Sequence, residues 1–422
     1  MTHICYKENN LCCEDVLLAD LAEEYGTPLY VYSKNQFLEN FHTLETALGE
    51  GDHRVCYALK ANANPAILKL LAEHNAGADV VSGGELFLAL KAGFSPDRIA
   101  FAGVGKREDE IEYALKNNVA FLNVESIPEL QLVSRVALRL NTTARVALRI
   151  NPDIDAQSHP YITTGLSENK FGIAAPKAME AFTYAASLPS VEVRGIHVHI
   201  GSQITSAEPF VLTAQFVVTF VEQLRASGIA INHIDFGGGM GVRYFNAIHH
   251  EGLPKEDPAH DKIPEPADVI AAVAPLLRST HCSLWLEPGR SILANAGVLL
   301  TRVAYIKDSG QKKFVIVDAG MTDLLRPSLY NAHHQIAPVA IETYEHELVD
   351  VVGPICETGD FFARNRTMNR VKSGDVLAVL TAGAYGFVNT SHYNGRPRPA
   401  EVLVNGERVR VIRQRETFED LL

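Results

Sequence analysis

Val55-Cys56-Tyr57-Ala58-Leu59 is a short uncharged run, and Lys60 follows it directly. Similar runs recur along the chain. They are Gly77-Ala78-Asp79-Val80-Val81, Ile99-Ala100-Phe101-Ala102, Ala120-Phe121-Leu122-Asn123-Val124, Arg145-Val146-Ala147-Leu148-Arg149-Ile150, Gly195-Ile196-His197-Val198-His199-Ile200, His233-Ile234-Asp235-Phe236 and Ser283-Leu284-Trp285-Leu286. Near-continuous apolarity without strict alternation fits parallel strands covered on both faces.

Helix signals separate these runs. Asn64-Pro65 opens a segment with Ile67, Leu68, Leu70 and Leu71 on one face, ahead of Gly77. Ser126 and Glu129 have capping-box spacing ahead of Leu130 and Leu132, and Gly84–Leu90 and Ile111–Leu115 supply two more helices. Strand and helix alternating through eight repeats predicts an α/β fold, a (β/α)8 TIM-like barrel; an open doubly wound sheet is the alternative, because periodicity does not prove closure.

The texture changes near Ser283. Phe314–Val317, Leu348–Val352 and Val376–Leu380 read as strands without long helices between them, and Asn405-Gly406 is a hairpin signal between Val402–Val404 and Arg408–Ile412. The expected organisation is a barrel over 33–282 and a C-terminal mostly-β domain built from 1–32 and 283–422, with Leu29–Tyr32 adding a strand to it. The stretch Asn246–Pro266, rich in His, Glu, Asp and Pro, reads as a surface insertion before the eighth barrel strand.

Composition narrows the function class. The chain has 422 residues, 47% hydrophobic and 21% charged, as in ordinary globular proteins. A net charge of −12 disfavours nucleic acid and anionic membrane, which select basic patches. No apolar run reaches the roughly 18–20 residues that span a bilayer. The first residues lack the layout of a secretion signal, and six scattered cysteines without a CxxC pair suit a reducing, cytoplasmic setting.

In such a barrel, chemistry gathers at the carboxyl ends of the strands. Those ends read Lys60, Ser82, Gly103, Glu125, Asn151, His199, Gly237-Gly238-Gly239 and Glu287-Pro288-Gly289-Arg290. Lys60 alone could be a snorkelling surface residue; in a partly desolvated site it would be an amine able to form a Schiff base. The two glycine-containing turns follow strands seven and eight, where barrels commonly hold phosphate, although tight turns need no ligand. They form neither a Rossmann fingerprint, since Val242 replaces its third glycine, nor a P-loop. His197 and His199 share a strand face, which a zinc site could use. Metal-dependent barrel hydrolases carry that pair on the first strand with a lysine later, the reverse of the order here, so no metal is expected.

Taken together, Lys60, His199, the triple glycine and Glu287–Arg290 resemble the barrel-type pyridoxal-phosphate decarboxylases, and within them the diaminopimelate decarboxylases. The resemblance runs from Tyr57–Asn62 through His159–Gly165, Asn169–Ile173, Val198–Gln203 and Gly353–Glu357 to Ala384-Tyr385-Gly386. It implies the two-domain architecture of alanine racemases and a pyridoxal 5'-phosphate cofactor joined to Lys60. It places His199 on the ring face, Glu287 at the ring nitrogen, and Ser202, Gly239, Glu287, Pro288, Gly289, Arg290 and Tyr385 around the cofactor. Arg290, Arg326, Tyr330, Glu357 and Tyr385 would bind the substrate's far end, two arginines suiting a carboxylate and Glu357 an ammonium. Cys356 would be a catalytic proton donor, and it would enter a partner's site with Glu357, so a homodimer is implied. The expected reaction converts meso-2,6-diaminopimelate to L-lysine and CO2. Decarboxylases of carboxynorspermidine, ornithine or arginine, an amino-acid racemase, and a non-catalytic cofactor carrier are the rivals.

Overall fold

The computed structural model describes residues 2–155, 164, 169–258 and 262–422. Its contacts divide the chain into two compact units. One comprises Phe41–Gly241 and Pro264–Ser291; the other comprises Met1–Asn40, Val242–Ile263 and Ile292–Leu422.

The first unit is a closed parallel barrel. Its strands are His53–Ala58, Gly77–Val80, Ile99–Phe101, Phe121–Val124, Ala144–Asn151, Val191–His197, His233–Asp235 and Ser283–Leu286. Each pairs with the next, and the last returns to the first through Leu284 opposite His53 and Leu286 opposite Val55. Closure removes the open edges a doubly wound sheet would leave. Helices cover the outside. Pro65–Glu73 begins as its sequence predicts, with the Asn64 side chain accepting from the Ala66 N–H and proline in the first turn. At Ile127–Arg139 only half of the expected capping box forms: Ser126 accepts from the Glu129 N–H, but the Glu129 carboxylate accepts from the Glu125 N–H and the Lys106 ammonium.

The second unit is mostly β. Its largest sheet is built on the long strand Gly297–Asp308, flanked antiparallel by Leu29–Ser33 and Lys313–Val317. Ala400–Asn405 pairs parallel to Leu29–Ser33 and turns back into Arg408–Arg413. Asn405 lies opposite Arg408, so the two turn residues are Gly406 and Glu407, one position later than the Asn-Gly signal suggests. Gly406 takes φ +62°, the glycine-first form of a two-residue hairpin.

Three boundaries differ from the sequence reading. The first junction lies between Asn40 and Phe41 rather than between 32 and 33. Ser283–Leu286 belongs to the barrel, because its backbone bonds the seventh and first strands rather than any strand of the β unit. The stretch read as a surface insertion packs instead into the β unit. Ile248 and Leu253 are in its hydrophobic core with Leu300, Val339 and Ile341. Glu256 anchors the same segment, accepting from Arg366 Nη1 at 3.1 Å and lying 3.0 Å from His333 Nε2. Three apolar or acidic positions scattered through a polar stretch carry too little periodicity to reveal a buried face. Among the described residues, no helix is long and apolar enough to cross a membrane.

Candidate active site

The carboxyl-terminal mouth of the barrel collects ionisable groups from five strands. Lys60 sits on the short turn Leu59–Ala61 that ends the first strand, and its Nζ donates to Asp79 Oδ2 on the second at 2.9 Å. The amine is about one-third exposed and the carboxylate fully buried. Burial pushes the Asp79 carboxyl up, as does the charge of Glu287, while Lys60 pulls it down.

Glu287, just past the eighth strand, is the centre of a buried polar cluster. Its Oε2 lies 3.2 Å from His197 Nε2, and its Oε1 accepts from Asn123 Nδ2 at 3.2 Å. Asn123 Nδ2 also donates to Asp235 Oδ2 at 2.8 Å, and Asp235 hydrogen-bonds Glu287. Two carboxylates this close cannot both ionise. Burial drives Asp235 well above the usual carboxylate range, and the Glu287 charge adds to it. Burial works against Glu287 too, but His197, Lys60 and the Asp235 hydrogen bond outweigh it and hold Glu287 below its ordinary value. The surroundings therefore favour ionisation at Glu287 and disfavour it at Asp235. His197, Asp235 and Glu287 bring one ligand atom each within 4.8 Å of one another, a spacing a cation could use.

His199 lies two residues beyond the end of its strand at His197. Its Nδ1 accepts from the Gly238 N–H at 3.1 Å, and burial, with Arg149 and Lys60 nearby, depresses its pKa so that the ring is neutral. The histidine pair thus divides into one ring inside the cluster and one above the glycine turn. Arg149 pairs with Glu125 through Nη1 at 3.0 and 3.1 Å and donates to the His199 carbonyl at 3.3 Å, fixing that backbone.

The glycine turns are close crossings. A Cβ on Gly238 would meet the Glu287 carbonyl oxygen at 2.3 Å, and one on Gly239, at φ +101°, would meet the Gly201 carbonyl oxygen at 2.2 Å. The Glu287 N–H donates to the Gly237 carbonyl at 2.7 Å, and the Ala58 N–H donates to that of Pro288 at 3.1 Å, locking the two turns to the lysine strand. Arg290 Nη2 donates to Ser202 Oγ at 2.9 Å beside them.

Sequence candidates divide accordingly. Lys60, His199, Ser202, Gly239, Glu287, Pro288, Gly289 and Arg290 all lie in the barrel unit. Ser82 serves as a helix cap, accepting from the Glu85 N–H, and Glu125 and Asn151 are tied into local backbone bonds. Asp79, Asn123 and Asp235 were missed as site residues, although a polar residue inside an apolar strand is itself a signal of function. Most of His159–Gly165 lies outside the described residues.

Arg326, Tyr330, Cys356, Glu357 and Tyr385 belong to the β unit. Arg326 starts the short helix Arg326–Tyr330 and is buried; its Nη1 donates to the Tyr244 hydroxyl at 2.6 Å, with the guanidinium 4.6 Å from the centre of that ring. Cys356 and Glu357 are exposed on a loop whose backbone is pinned by Asp360, which accepts from the Ile355 and Met321 N–H groups at 2.6 Å. Tyr385 takes φ +58°.

Residues 34–294 match the family model described as pyridoxal-dependent decarboxylase, pyridoxal binding domain. A diaminopimelate decarboxylase of Aquifex aeolicus is 47% identical over 98% of this chain and 95% of its own length. The chain belongs to the diaminopimelate decarboxylase family. Another member, from Vibrio cholerae, is 44% identical over 100% of this chain and 98% of its own. Among solved structures, diaminopimelate decarboxylase from Helicobacter pylori complexed with L-lysine superposes with a TM-score of 0.89, at 43% identity over 96% of this chain and 98% of that one.

The family's cofactor is pyridoxal phosphate, and the residues present fit it. An amine, a neutral imidazole, a buried ionised carboxylate and a backbone cradle that no Cβ could share surround one barrel mouth. If Glu287 faces the cofactor's ring nitrogen, Glu287→Gln should remove the charge that would keep that nitrogen protonated. An opposite charge at this range typically moves a pKa by about 1–3 units, so kcat should fall roughly 10–10³-fold with cofactor still bound. Steady-state kinetics beside cofactor content check this; unchanged kcat would remove Glu287 from the role.

Proposed function

We propose that the chain decarboxylates meso-2,6-diaminopimelate to L-lysine and CO2, with pyridoxal phosphate held by Lys60. The observation that carries this reading is the Lys60–Asp79 contact beside the ionised Glu287, the amine and carboxylate the family's cofactor requires. Bound pyridoxal phosphate supplies a sink for the electron pair left when the bond to the departing carboxylate breaks.

The chain's own residues prepare that step. Glu287 would hold positive charge at the cofactor's ring nitrogen, because its environment favours its ionisation over that of Asp235. Asp79 orients the Lys60 amine, the group that would hold the cofactor. His199 would present a neutral flat face to the ring, and Ser202, Gly239 and the Glu287-Pro288-Gly289-Arg290 turn would hold its phosphate. Arg290 and Arg326 bind the carboxylate far from the reacting carbon, helped by Tyr330 and Tyr385, which also contacts the cofactor. Glu357 binds the distal ammonium, and Cys356 returns a proton to the carbon that lost CO2. The exposure of Cys356 and Glu357 on a pinned loop supports their delivery to a second copy, in a cytoplasmic homodimer. All six cysteines are free thiols, in keeping with a reducing compartment.

The deciding assay supplies purified protein with meso-diaminopimelate, ornithine, arginine and carboxynorspermidine in parallel. CO2 and lysine should form from the first and little from the others. Faster turnover of any of the other three would overturn the substrate assignment, and racemisation without CO2 would overturn the reaction class.

A further inference from the structure

The opposite end of the barrel holds a cavity of about 690 Å³ that the chemistry above does not use. It lies where the strands begin. Arg54 comes from the first strand, Arg145 from the fifth, Arg194 from the sixth, and Arg278 from the end of the last crossover helix, Pro266–Arg278. A small hydrophobic cluster of Cys56, Ala100, Ala120 and Trp285 adjoins it, with Ala120 and Trp285 in the cavity wall.

Four guanidiniums around one cavity are unexpected in a chain of net charge −12. Arg194 is neutralised by Glu192 at 2.7 Å. The other three are not: among the described residues none of Arg54, Arg145 and Arg278 is in an ion pair. Arg145 Nη2 donates only to oxygens of Asn118 and Val119. Arg54 Nη1 reaches only the neighbouring His53 carbonyl, at 3.4 Å, and the buried Arg54 Nε and Arg278 Nη2 have no hydrogen-bond partner. The three carboxylates that line the same cavity, Glu50, Asp52 and Asp97, are all exposed, where solvent weakens their hold. His233 adds a second sign of unmet polarity. It is 1% exposed, its ring stacks on Phe121 at 3.9 Å, and neither nitrogen has a hydrogen-bond partner. Buried donors left unsatisfied cost free energy that a ligand could recover.

We propose that this cavity binds a small dianion, a phosphate monoester or a dicarboxylate, through Arg54, Arg145 and Arg278. Planar guanidiniums pair with either group through two parallel hydrogen bonds, so the shared chemistry is a compact double negative charge. The site is separate from the catalytic mouth, at the far end of the same strands.

The test is calorimetric titration of the holoenzyme with inorganic phosphate and, separately, with succinate. One of them should bind saturably at one site per chain. Arg54→Gln or Arg278→Gln should weaken that binding at least tenfold while decarboxylation persists, and scoring the variants separately covers misfolding of either. Which anion binds identifies the source of the charge. Absence of saturable binding by both anions, or an affinity unchanged in both variants, overturns the proposal.

Discussion

Lys60→Ala should abolish decarboxylation, lowering kcat by at least about 10⁴-fold. That is the upper end of what one positioned proton-transfer group contributes, and on the proposed reading the covalent anchor goes as well. The loss is not a matter of stability. Lys60 is about one-third exposed, and it pairs with Asp79 at the mouth. Removing it leaves Asp79 buried without that cation, so its carboxyl should rise further and take up a proton rather than unfold the barrel. Circular dichroism should therefore be unchanged while the visible absorbance of lysine-bound cofactor disappears. Retention of substantial turnover would remove Lys60 from the centre of the site, and with it the reaction assigned to the barrel mouth.

Selectivity for a substrate with a distal carboxylate should be the second large effect. A site built to pair a polar group rejects the analogue lacking it by about 10⁴–10⁵-fold, because its own buried groups are then left unpaired. The enzyme should accordingly favour meso-diaminopimelate over lysine or ornithine by about 10⁴ in kcat/KM. Arg326→Gln keeps a hydrogen-bonding side chain beside Tyr244 but removes the charge. Two charge-assisted bonds at roughly 1.5–3 kcal/mol each predict that the preference falls by at least about 10²-fold. The comparison of kcat/KM for the two substrates, rather than activity alone, is the informative readout. A general packing defect would lower both equally, whereas loss of carboxylate pairing lowers only one.

The barrel was legible because its strands are continuous apolar runs with helix starts between them, and each of the eight appears where its run lies. Lys60, His199 and Glu287 were legible as strand ends. Asp79, Asn123 and Asp235 were not, because each is a single polar residue inside a run that reads as core. Their meaning lies in their neighbours: Asn123 reaches Asp235 across 112 residues and Glu287 across 164. Tyr244 is a similar case, an aromatic residue ahead of a polar stretch that folds back to hold Arg326 across 82 residues.

By itself, then, the sequence determined the repeating strand and helix pattern, the second β-rich unit and the lysine at the end of the first strand. Local periodicity, caps and turn residues are short-range properties and survive in a linear reading. Only the tertiary structure decided that the sheet closes, that residues 242–263 pack with the β unit, and that Asp235 and Glu287 share one buried cluster with His197 and Lys60 nearby. It also decided that three arginines from distant segments face one cavity without a carboxylate partner. Those outcomes depend on which groups meet after closure and how much water remains around them, and desolvation and pairing at a few ångströms leave no local mark on the chain.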